Sequence, residues 1–292
     1  MSAAEVDLEA IGDLVTGTDL HAETWGRARL VDAGLLDGRG RVGDLAVWWA
    51  GTRGDAAAGP ARDVVLLVPP GAQTSAAPVT GLPREPVPVR TVPLDPPDDP
   101  VAAAAWGVRT ADALADAGTE LLLVSAPDLV ASRVLAAQLL GLDAVEANGW
   151  PQDIGIDDAT WMDQVTRIRD GLRAVRGLRA RPIDLLTALG SPILSATTGL
   201  LLQSAARRTP ALLDGDGAAA AALVAQRLSA YARDWWQVGH LGRHPAQRRC
   251  LESLRLTALT QLGVTVEDGT GSLLGLAVLD LAAGLLAGAG PA

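Results

Sequence analysis

The sequence predicts an α/β fold, a parallel sheet covered by helices on both faces in a Rossmann-like, three-layer arrangement. Short apolar runs of strand length alternate along the chain with longer segments that have helical spacing. The clearest run, Asp63–Val68 (DVVLLV), is apolar almost throughout and stops at two prolines, as a buried strand does.

The elements of the first half follow in order. A weaker strand over Arg90–Leu94 ends in an acidic, proline-rich loop. Helical spacing over Asp99–Gly118, with an aspartate as a plausible cap, leads to a second clear strand, Glu120–Val124 (ELLLV). A helix over Asp128–Leu140 completes one βαβ step.

The second half continues the alternation. It contains an amphipathic helix over Asp157–Val175 and a nearly apolar, and therefore buried, helix over Ile193–Ala206. A short strand over Pro210–Leu213 leads into an alanine-rich helix, and the longest stretch without a pattern is the loop Pro69–Pro88. Ligands of open α/β sheets usually bind at strand-to-helix turns, so these turns are the places to look for function.

Composition limits the partners. The 292 residues carry a formal net charge of −10, which argues against nucleic acid or an anionic membrane as a partner, because both require a basic surface. The remaining candidate partners are small molecules or other protein chains. Cys250 is the only cysteine, so an intrachain disulfide and a four-cysteine zinc site are excluded, and a reducing cytoplasm is the expected location.

No targeting or membrane segment is expected. The first residues, MSAAEVDLEA, are acidic where a signal peptide requires a basic start. The longest apolar run, Leu273–Leu286, contains Asp280 and is shorter than the roughly 18 residues of a membrane span.

The turn Ser125-Ala126-Pro127-Asp128 precedes a helix, where free backbone N–H groups could hold a phosphate. Here Pro127 removes one N–H group and Asp128 puts a carboxylate in the phosphate position. Capping of the helix by Asp128 is therefore favoured.

Two further turns resemble metal sites only weakly. The segment Asp214-Gly215-Asp216-Gly217 begins like a calcium loop, but Ala218 stands at the position of the next oxygen ligand, so a turn with a helix cap is favoured. His240 and His244 have the four-residue spacing of zinc ligands on a helix, but a glycine interrupts the segment and a proline follows. Loop histidines are favoured, and neither a metal nor a cofactor is predicted.

The most distinctive turn lies near the C-terminus, where Glu267 and Asp268 directly precede Gly269, Thr270, Gly271 and an apolar helix. A carboxylate at such a turn can be a general base, because low polarity raises its pKa and glycines let a substrate approach. It can also cap the helix. Spacing alone favours the cap, with Asp268 and Thr270 as its candidates.

Three stretches resemble the nicotinate-nucleotide:5,6-dimethylbenzimidazole phosphoribosyltransferases, which make the lower ligand of cobalamin. Asp184–Gly215 follows the family's glycine turn, buried helix and strand ending in Asp-Gly. Leu259–Ala283 follows its Gly-Glu-Gly-Thr-Gly turn and apolar helix, and Gly34–Gly54 resembles its N-terminal stretch. The region before Val101 is shortened.

The resemblance implies a large α/β domain over residues 56–250. It also implies a small helical domain, formed by residues 1–55 and by C-terminal helices over 251–292 that return to it with the active-site turn. It implies a homodimer that transfers phosphoribose from nicotinate mononucleotide to a benzimidazole-type base without metal or redox cofactor. In the family, a glutamate before Gly-Thr-Gly takes the proton from the incoming base.

Here Asp268 holds the position of that glutamate. Its side chain is one methylene shorter, which reduces its reach, and Glu267 is the less favoured alternative. The resemblance assigns substrate binding to Gly269, Thr270, Gly271, Asp214, Gly215, Gly190 and Ser125.

Three departures weaken the implied binding of an anionic substrate. Residues 124–132 lack every glycine of the family's phosphate turn. Ile193 replaces the acid of the family's Gly-Gly-x-Glu, and the stretch HLGRHPAQ near His240 lacks the family's glutamate and its Gly-His pair. The chain has no lysine that could compensate.

Three functions are therefore open. The favoured one is a relative that has lost catalysis and serves as a structural or regulatory partner, since core packing is needed whatever the activity. The second is an active phosphoribosyltransferase with Asp268 as the base and altered substrates. The third is a small-molecule carrier or sensor, in which four tryptophans offer stacking surfaces, although packing is favoured for them: Trp48, Trp49, Trp235 and Trp236.

Overall fold

The protein is described by a computed structural model that covers residues 6–55, 58–71 and 89–289. Its strands are β1 (Val64–Val68), β2 (Val89–Pro93), β3 (Leu121–Ser125), β4 (Ala211–Asp214), β5 (Trp236–His240) and β6 (Ala258–Thr260). They form one sheet in the order β2-β1-β3-β4-β5-β6, and every neighbouring pair is parallel. The predicted α/β fold with a parallel sheet is confirmed.

The described residues also form thirteen α-helices and one 3-10 helix (Ala232–Trp235). The α-helices are α1 (Leu8–Leu14), α2 (Leu20–Asp32), α3 (Gly40–Arg53), α4 (Pro100–Asp116), α5 (Leu129–Leu140), α6 (Ala144–Asn148), α7 (Pro151–Ile154), α8 (Asp158–Ala174), α9 (Pro182–Leu189), α10 (Pro192–Ala206), α11 (Gly215–Leu228), α12 (Pro245–Leu254) and α13 (Thr270–Gly288).

Two strands were not predicted. β5 contains a glutamine and a glycine between its tryptophan and its histidine, and β6 has only three, partly buried residues at the edge of the sheet. Neither segment has the continuous apolar run that predicted β1 and β3. The placement of His240 in a loop was wrong, since it is the last residue of β5. Most of the unpatterned loop Pro69–Pro88, residues 72–88, lies outside the described residues.

Both faces of the sheet are buried. Because successive side chains of a strand point to opposite faces, β1 and β3 each contribute to two apolar clusters. One cluster joins the sheet to α4, α5, α10 and α11, and the other joins it to α2, α3 and α13. Helices from the two ends of the chain thus pack on the same face. The division into domains at residues 55/56 and 250/251 stays a prediction.

The C-terminal helix α13 is longer than the sequence suggested. Its 19 residues, with a mean hydropathy of 1.8, are long and apolar enough to cross a membrane by length and composition alone, so the estimate of a run too short for a span was wrong. In this fold 44% of its most apolar window is buried. Leu276, Leu279 and Leu286 lie in the cluster shared with α3, so one face of α13 packs into the core.

Helices α4 and α10 cross closely because each has a glycine at the crossing. A Cβ atom at Gly107 would overlap the carbonyl oxygen of Ala196, and one at Gly199 would overlap the carbonyl oxygen of Ala104. The two backbones therefore touch where a side chain would separate them. This contact fixes two helices of the layer that covers one face of the sheet.

We expect Gly199→Ala to lower the free energy of unfolding by about 2 kcal/mol, because the added methyl group forces the two helices apart. Gly288→Ala is the matched control, since no atom outside its own helix lies within 4 Å of that Cβ position. It should change stability by less than about 0.5 kcal/mol. Urea denaturation of both variants measures the difference, and equal stabilities would contradict the close crossing.

Candidate functional site

Three neighbouring strands each end in a polar residue, and these three residues lie at the carboxyl edge of the sheet. Ser125 ends β3, Asp214 ends β4 and His240 ends β5, and Ser125 lies in register with Asp214. All three are buried. The first turn of α13 lies against this edge, because a Cβ atom at Gly271 would overlap both Asp214 and His240.

Asp214 faces the start of α13. Its Oδ2 accepts a hydrogen bond from the backbone N–H of Gly269 at 3.1 Å. Burial, helped by the negative charge of Asp268, raises the pKa of Asp214 to about 7, although N–H groups of this helix start oppose the shift. The structure thus brings Asp214 together with Gly269 and Gly271. Their role in substrate binding stays a prediction. At neutral pH this carboxyl group holds its proton in a large fraction of molecules.

Glu267 turns inward over the turn that follows β4. Its Oε1 accepts the backbone N–H of Asp216 at 2.6 Å. Its Oε2 is buried and has no hydrogen-bond partner among the described residues. Burial, and then the negative charges of Asp216 and Asp214, raise the pKa of Glu267 well above its ordinary range. Gly215, at φ +81°, makes this possible, since a Cβ there would overlap the carboxyl group of Glu267.

Asp268 has a different position. Its Oδ1 accepts the backbone N–H of Thr270, the first residue of α13, at 2.9 Å. The N-cap residue is Gly269, so the prediction of Asp268 or Thr270 as the cap was wrong by one position, although Asp268 bonds to the helix start. Gly269 between them has φ +92°, and a Cβ there would lie 2.7 Å from Leu66 Cδ1. The two adjacent acids therefore diverge, with Glu267 reaching the turn after β4. A general-base role stays a prediction for both.

A buried arginine that was not predicted as a site residue forms hydrogen bonds to several elements around the site. Arg133 of α5 is fully buried, and its Nε donates to Asp216 Oδ2 at 3.2 Å. Its Nη1 donates to Asn148 and, at 3.2 Å, to Gln164, and its Nη2 lies 2.7 Å from His244 Nδ1. The sequence did contain an indication of this network, since a charged residue inside an apolar helix is almost always paired when it is buried.

The two histidines have separate environments. His244 immediately precedes α12, and burial is the main cause that lowers its pKa, so its ring is neutral at neutral pH. Its Nε2 is buried without a partner among the described residues. His240 accepts the backbone N–H of Leu262 at Nε2 (2.8 Å), and burial lowers its pKa as well. Among the described residues, no three histidine, cysteine, aspartate or glutamate side chains converge as metal ligands.

A small cavity lies at this edge, between the turn after β4, the loop before α12 and residues 264–267. Its volume is about 20 Å³, room for roughly one water molecule. Asp214, His244 and Glu267 line it, and Arg243, an exposed residue, is the one arginine in its lining. The site therefore consists of buried carboxyl groups around a space much smaller than a nucleotide.

The N-terminus of α5, at the same edge, is closed. Asp128 accepts the backbone N–H of Ala131 at 3.2 Å, as predicted for a cap, and its Oδ2 also accepts the hydroxyl of Ser191 at 2.6 Å. Gly190 ends α9 in the left-handed conformation directly before Ser191. Neither Gly190 nor Ser125 lines the cavity, and the Ser125 hydroxyl has no partner among the described residues.

The four tryptophans considered as stacking surfaces pack within the protein, which is the role that the sequence favoured for them. Trp49, Trp235 and Trp236 are buried. The indole N–H of Trp235 donates to the Thr16 carbonyl oxygen at 2.7 Å, and that of Trp48 donates to the Asp234 carbonyl oxygen at 2.8 Å.

Comparison with known proteins gives matches over most of the chain. Residues 97–290 match the family model DBI_PRT, described as phosphoribosyltransferase. A nicotinate-nucleotide–dimethylbenzimidazole phosphoribosyltransferase of Streptomyces avermitilis is 44% identical over 189 residues, which are 64% of this chain and 50% of that protein. The enzyme of that name from Mycobacterium tuberculosis is 38% identical over 192 residues, 65% of this chain and 53% of that protein. The chain spans about half the length of the curated relatives it matches.

Among solved structures, the crystal structure of CobT from Thermus thermophilus matches with a TM-score of 0.68 and 22% identity, over 91% of this chain and 96% of that one. A second structure from that organism, of a protein named as nicotinate-nucleotide-dimethylbenzimidazole phosphoribosyltransferase, matches with a TM-score of 0.66. At this identity the likeness shows the α/β fold.

The raised pKa of Asp214 predicts how stability depends on pH. Between its ordinary value of 3.8 and about 7, the folded protein holds a proton that the unfolded chain has released. The free energy of unfolding therefore falls as pH rises through this window and levels off above it. Asp214→Asn cannot titrate, so its stability relative to the wild type should rise across the same window.

Urea denaturation of both proteins at several pH values tests this. The difference between the two curves removes the contributions of groups that do not interact with Asp214. The contribution of Glu267 remains in part, because the charge of Asp214 raises the pKa of Glu267. Parallel curves across the window would contradict a protonated Asp214.

Proposed function

The chain belongs to the phosphoribosyltransferase family whose model it matches over residues 97–290, and from this premise we propose that it is a divergent member without catalysis, serving cobalamin lower-ligand assembly as a structural or regulatory protein. The observation that carries the proposal is the closed N-terminus of α5, where the carboxylate of Asp128 is bonded both to the helix start and to Ser191.

Asp128 excludes an anion in two ways. A helix start attracts phosphate through free N–H groups and the positive end of its dipole. Here the carboxyl group of Asp128 already accepts the N–H of Ala131 and lies at that positive end. The preceding Pro127 has no N–H group to offer. A phosphate that approached α5 would meet a negative charge held in place by the hydroxyl of Ser191.

Two arginines lie at this edge, the exposed Arg243 of the cavity lining and the buried Arg133. The buried cation of this region, Arg133, is already bonded to Asp216, Asn148, Gln164 and His244. The cavity of about 20 Å³ is far below the several hundred Å³ of a typical small-molecule site. These features support a protein that keeps the family's core while its phosphate-binding chemistry is lost. We infer that it acts in the cytoplasm as a homodimer, without nucleic acid.

A second function is favoured by one observation, the buried carboxyl group of Glu267. Its raised pKa suits a general base, Glu267 lines the cavity, and its Oε2 is buried without a hydrogen-bond partner among the described residues. In this function the protein would transfer phosphoribose from nicotinate mononucleotide to a benzimidazole-type base, with Glu267 or Asp268 taking the proton.

We predict that the purified protein releases no nicotinate when incubated with nicotinate mononucleotide and 5,6-dimethylbenzimidazole, because Asp128 occupies the start of α5, where the phosphate of the donor would bind. Chromatographic detection of nicotinate and of the ribotide product measures this. The Streptomyces avermitilis relative, assayed in parallel, is the positive control. Added to that enzyme, the protein should change its rate if its role is regulatory.

Turnover comparable with that of the relative would overturn the proposal and favour the second function. Glu267→Gln and Asp268→Asn would then identify the base. The general-base role would be assigned to Glu267 if two results were obtained. Glu267→Gln would lose turnover, and the wild-type rate would rise with pH as this carboxyl group loses its proton.

A further inference from the structure

Helix α8 has an outer face that no element of the described part of the chain covers. Of its 17 residues, all of them within that part, Ile168 alone is buried. Met162 keeps 63% of its surface exposed. Beside the first turn of the helix, the half-exposed ring of Trp150 stacks on Trp161, with the ring centroids 5.7 Å apart. Exposed methionine and tryptophan side chains are typical of surfaces that bind another protein.

The charges on and around α8 are separated into two blocks. Residues 143–163 contain six acids and no basic residue, whereas residues 167–181 contain six arginines and a single acid, Asp170. The acids are Asp143, Glu146, Asp153, Asp157, Asp158 and Asp163, and the arginines are Arg167, Arg169, Arg173, Arg176, Arg179 and Arg181. The N-terminal half of α8 is therefore negative and its C-terminal half is positive.

The helix dipole does not account for this separation. Acids near the start of a helix and bases near its end are stabilising, but the effect is confined to the first and last turns. Asp163, Arg167 and Arg169 lie between those turns. Arg169 and Arg173 are like charges four residues apart, a spacing that destabilises a helix. The two blocks thus suit an opposite set of charges that faces them from another molecule.

The charged groups of α8 are accessible to such a molecule. Two ion pairs lie within the helix, Asp163–Arg167 at 3.6 Å and Asp170–Arg173 at 3.0 Å, and all four side chains are more than half exposed. Exposed ion pairs of this kind contribute little to stability. A docking partner can therefore replace them at little cost.

A surface with opposite charges in its two halves is complementary to an inverted copy of itself. When two such helices pack antiparallel about a two-fold axis, the acidic half of each faces the basic half of the other. A parallel pair would instead set like charges against each other. The charge pattern of α8 thus fits a second copy of this chain in one orientation.

We propose that α8 is a docking surface for a second copy of this chain, and that the two copies pack antiparallel, with the acidic half of each helix on the arginine half of the other. The inference deepens the homodimer of the proposed function, on which it rests, by naming the surface that joins the copies. The orientation follows from the charges of α8.

The residues at both ends of α8 enlarge this interface. The helix is about 25 Å long, and a pair of helices of this length buries less than the roughly 1,000 Å² of a specific interface. In the antiparallel pair, the arginines that follow α8 in one copy lie at the end that carries Trp150 in the other. Arginine stacks well on the face of a tryptophan ring, so this contact adds both area and attraction.

Sedimentation equilibrium of charge-reversal variants tests the proposal. The wild type should be a dimer at micromolar concentration. Asp158→Arg with Asp163→Arg makes both halves of α8 basic, and Arg169→Glu with Arg173→Glu makes both halves acidic. Each double variant alone should have a dissociation constant raised by more than about tenfold, because like charges then face each other. An equal mixture of the two should form dimers again, since a basic helix then meets an acidic one.

Asp44→Arg is the matched control. Asp44 lies on α3, which packs on the opposite face of the sheet, and it is paired with Arg27 at 3.6 Å between exposed side chains, as Asp163 is with Arg167. This change should leave the dissociation constant unchanged, and urea denaturation checks that every variant folds.

Three results would overturn the proposal. A dimer that resists both reversals, or a mixture that stays monomeric, would contradict the antiparallel packing of α8 and leave the homodimer of the proposed function in place. A monomeric wild type would contradict both the interface and the homodimer. The loss of catalysis is measured separately by nicotinate release, so its failure is recognised independently.

Discussion

The buried ion pair between Arg133 and Asp216 is the interaction on which the rest of the site depends. Removing one partner of such a pair typically costs about 3–5 kcal/mol, because the other charge stays buried and uncompensated. Here the arginine also bonds to groups on α6, α8 and the start of α12, while the backbone N–H of Asp216 holds Glu267. One guanidinium thus fixes three helices, the ring of His244 and the turn that positions the buried acid.

This arrangement gives the sheet edge a different chemistry from that of an anion site. Asp128, Asp214, Asp216 and Glu267 all lie there, and the buried arginine is already used by the ion pair. Carboxyl groups that cannot be neutralised by cations are neutralised by protons, as the raised pKa values of Asp214 and Glu267 indicate. The edge therefore holds protons and hydrogen-bond donors where a phosphate would require cations and free N–H groups. This is the physical basis for proposing that catalysis has been lost.

The sequence predicted the sheet wherever strands were continuously apolar, and it predicted the caps of α4 and α5 by Asp99 and Asp128. The cap predicted for the turn after β4 was wrong, because the side chain of Asp214 makes no capping bond to α11. It missed β5, whose tryptophan and histidine are buried by neighbours far along the chain rather than by a local pattern. It also missed the Arg133 network, whose bonds join residues 15 to 111 positions apart. Spacing likewise could not decide which of two adjacent acids turns inward. That choice depends on Gly215, whose missing side chain leaves room for Glu267, and on Leu66, which closes over Gly269.

The most direct test of this account is the affinity of the protein for ribose 5-phosphate, the phosphorylated half of the implied donor, measured by calorimetry at neutral pH and low salt. The account predicts no binding at millimolar concentration, because Asp128 holds the start of α5 and Arg133 is already paired. Tight binding that inorganic phosphate displaces would contradict it, and would mean that this edge still contains an anion site.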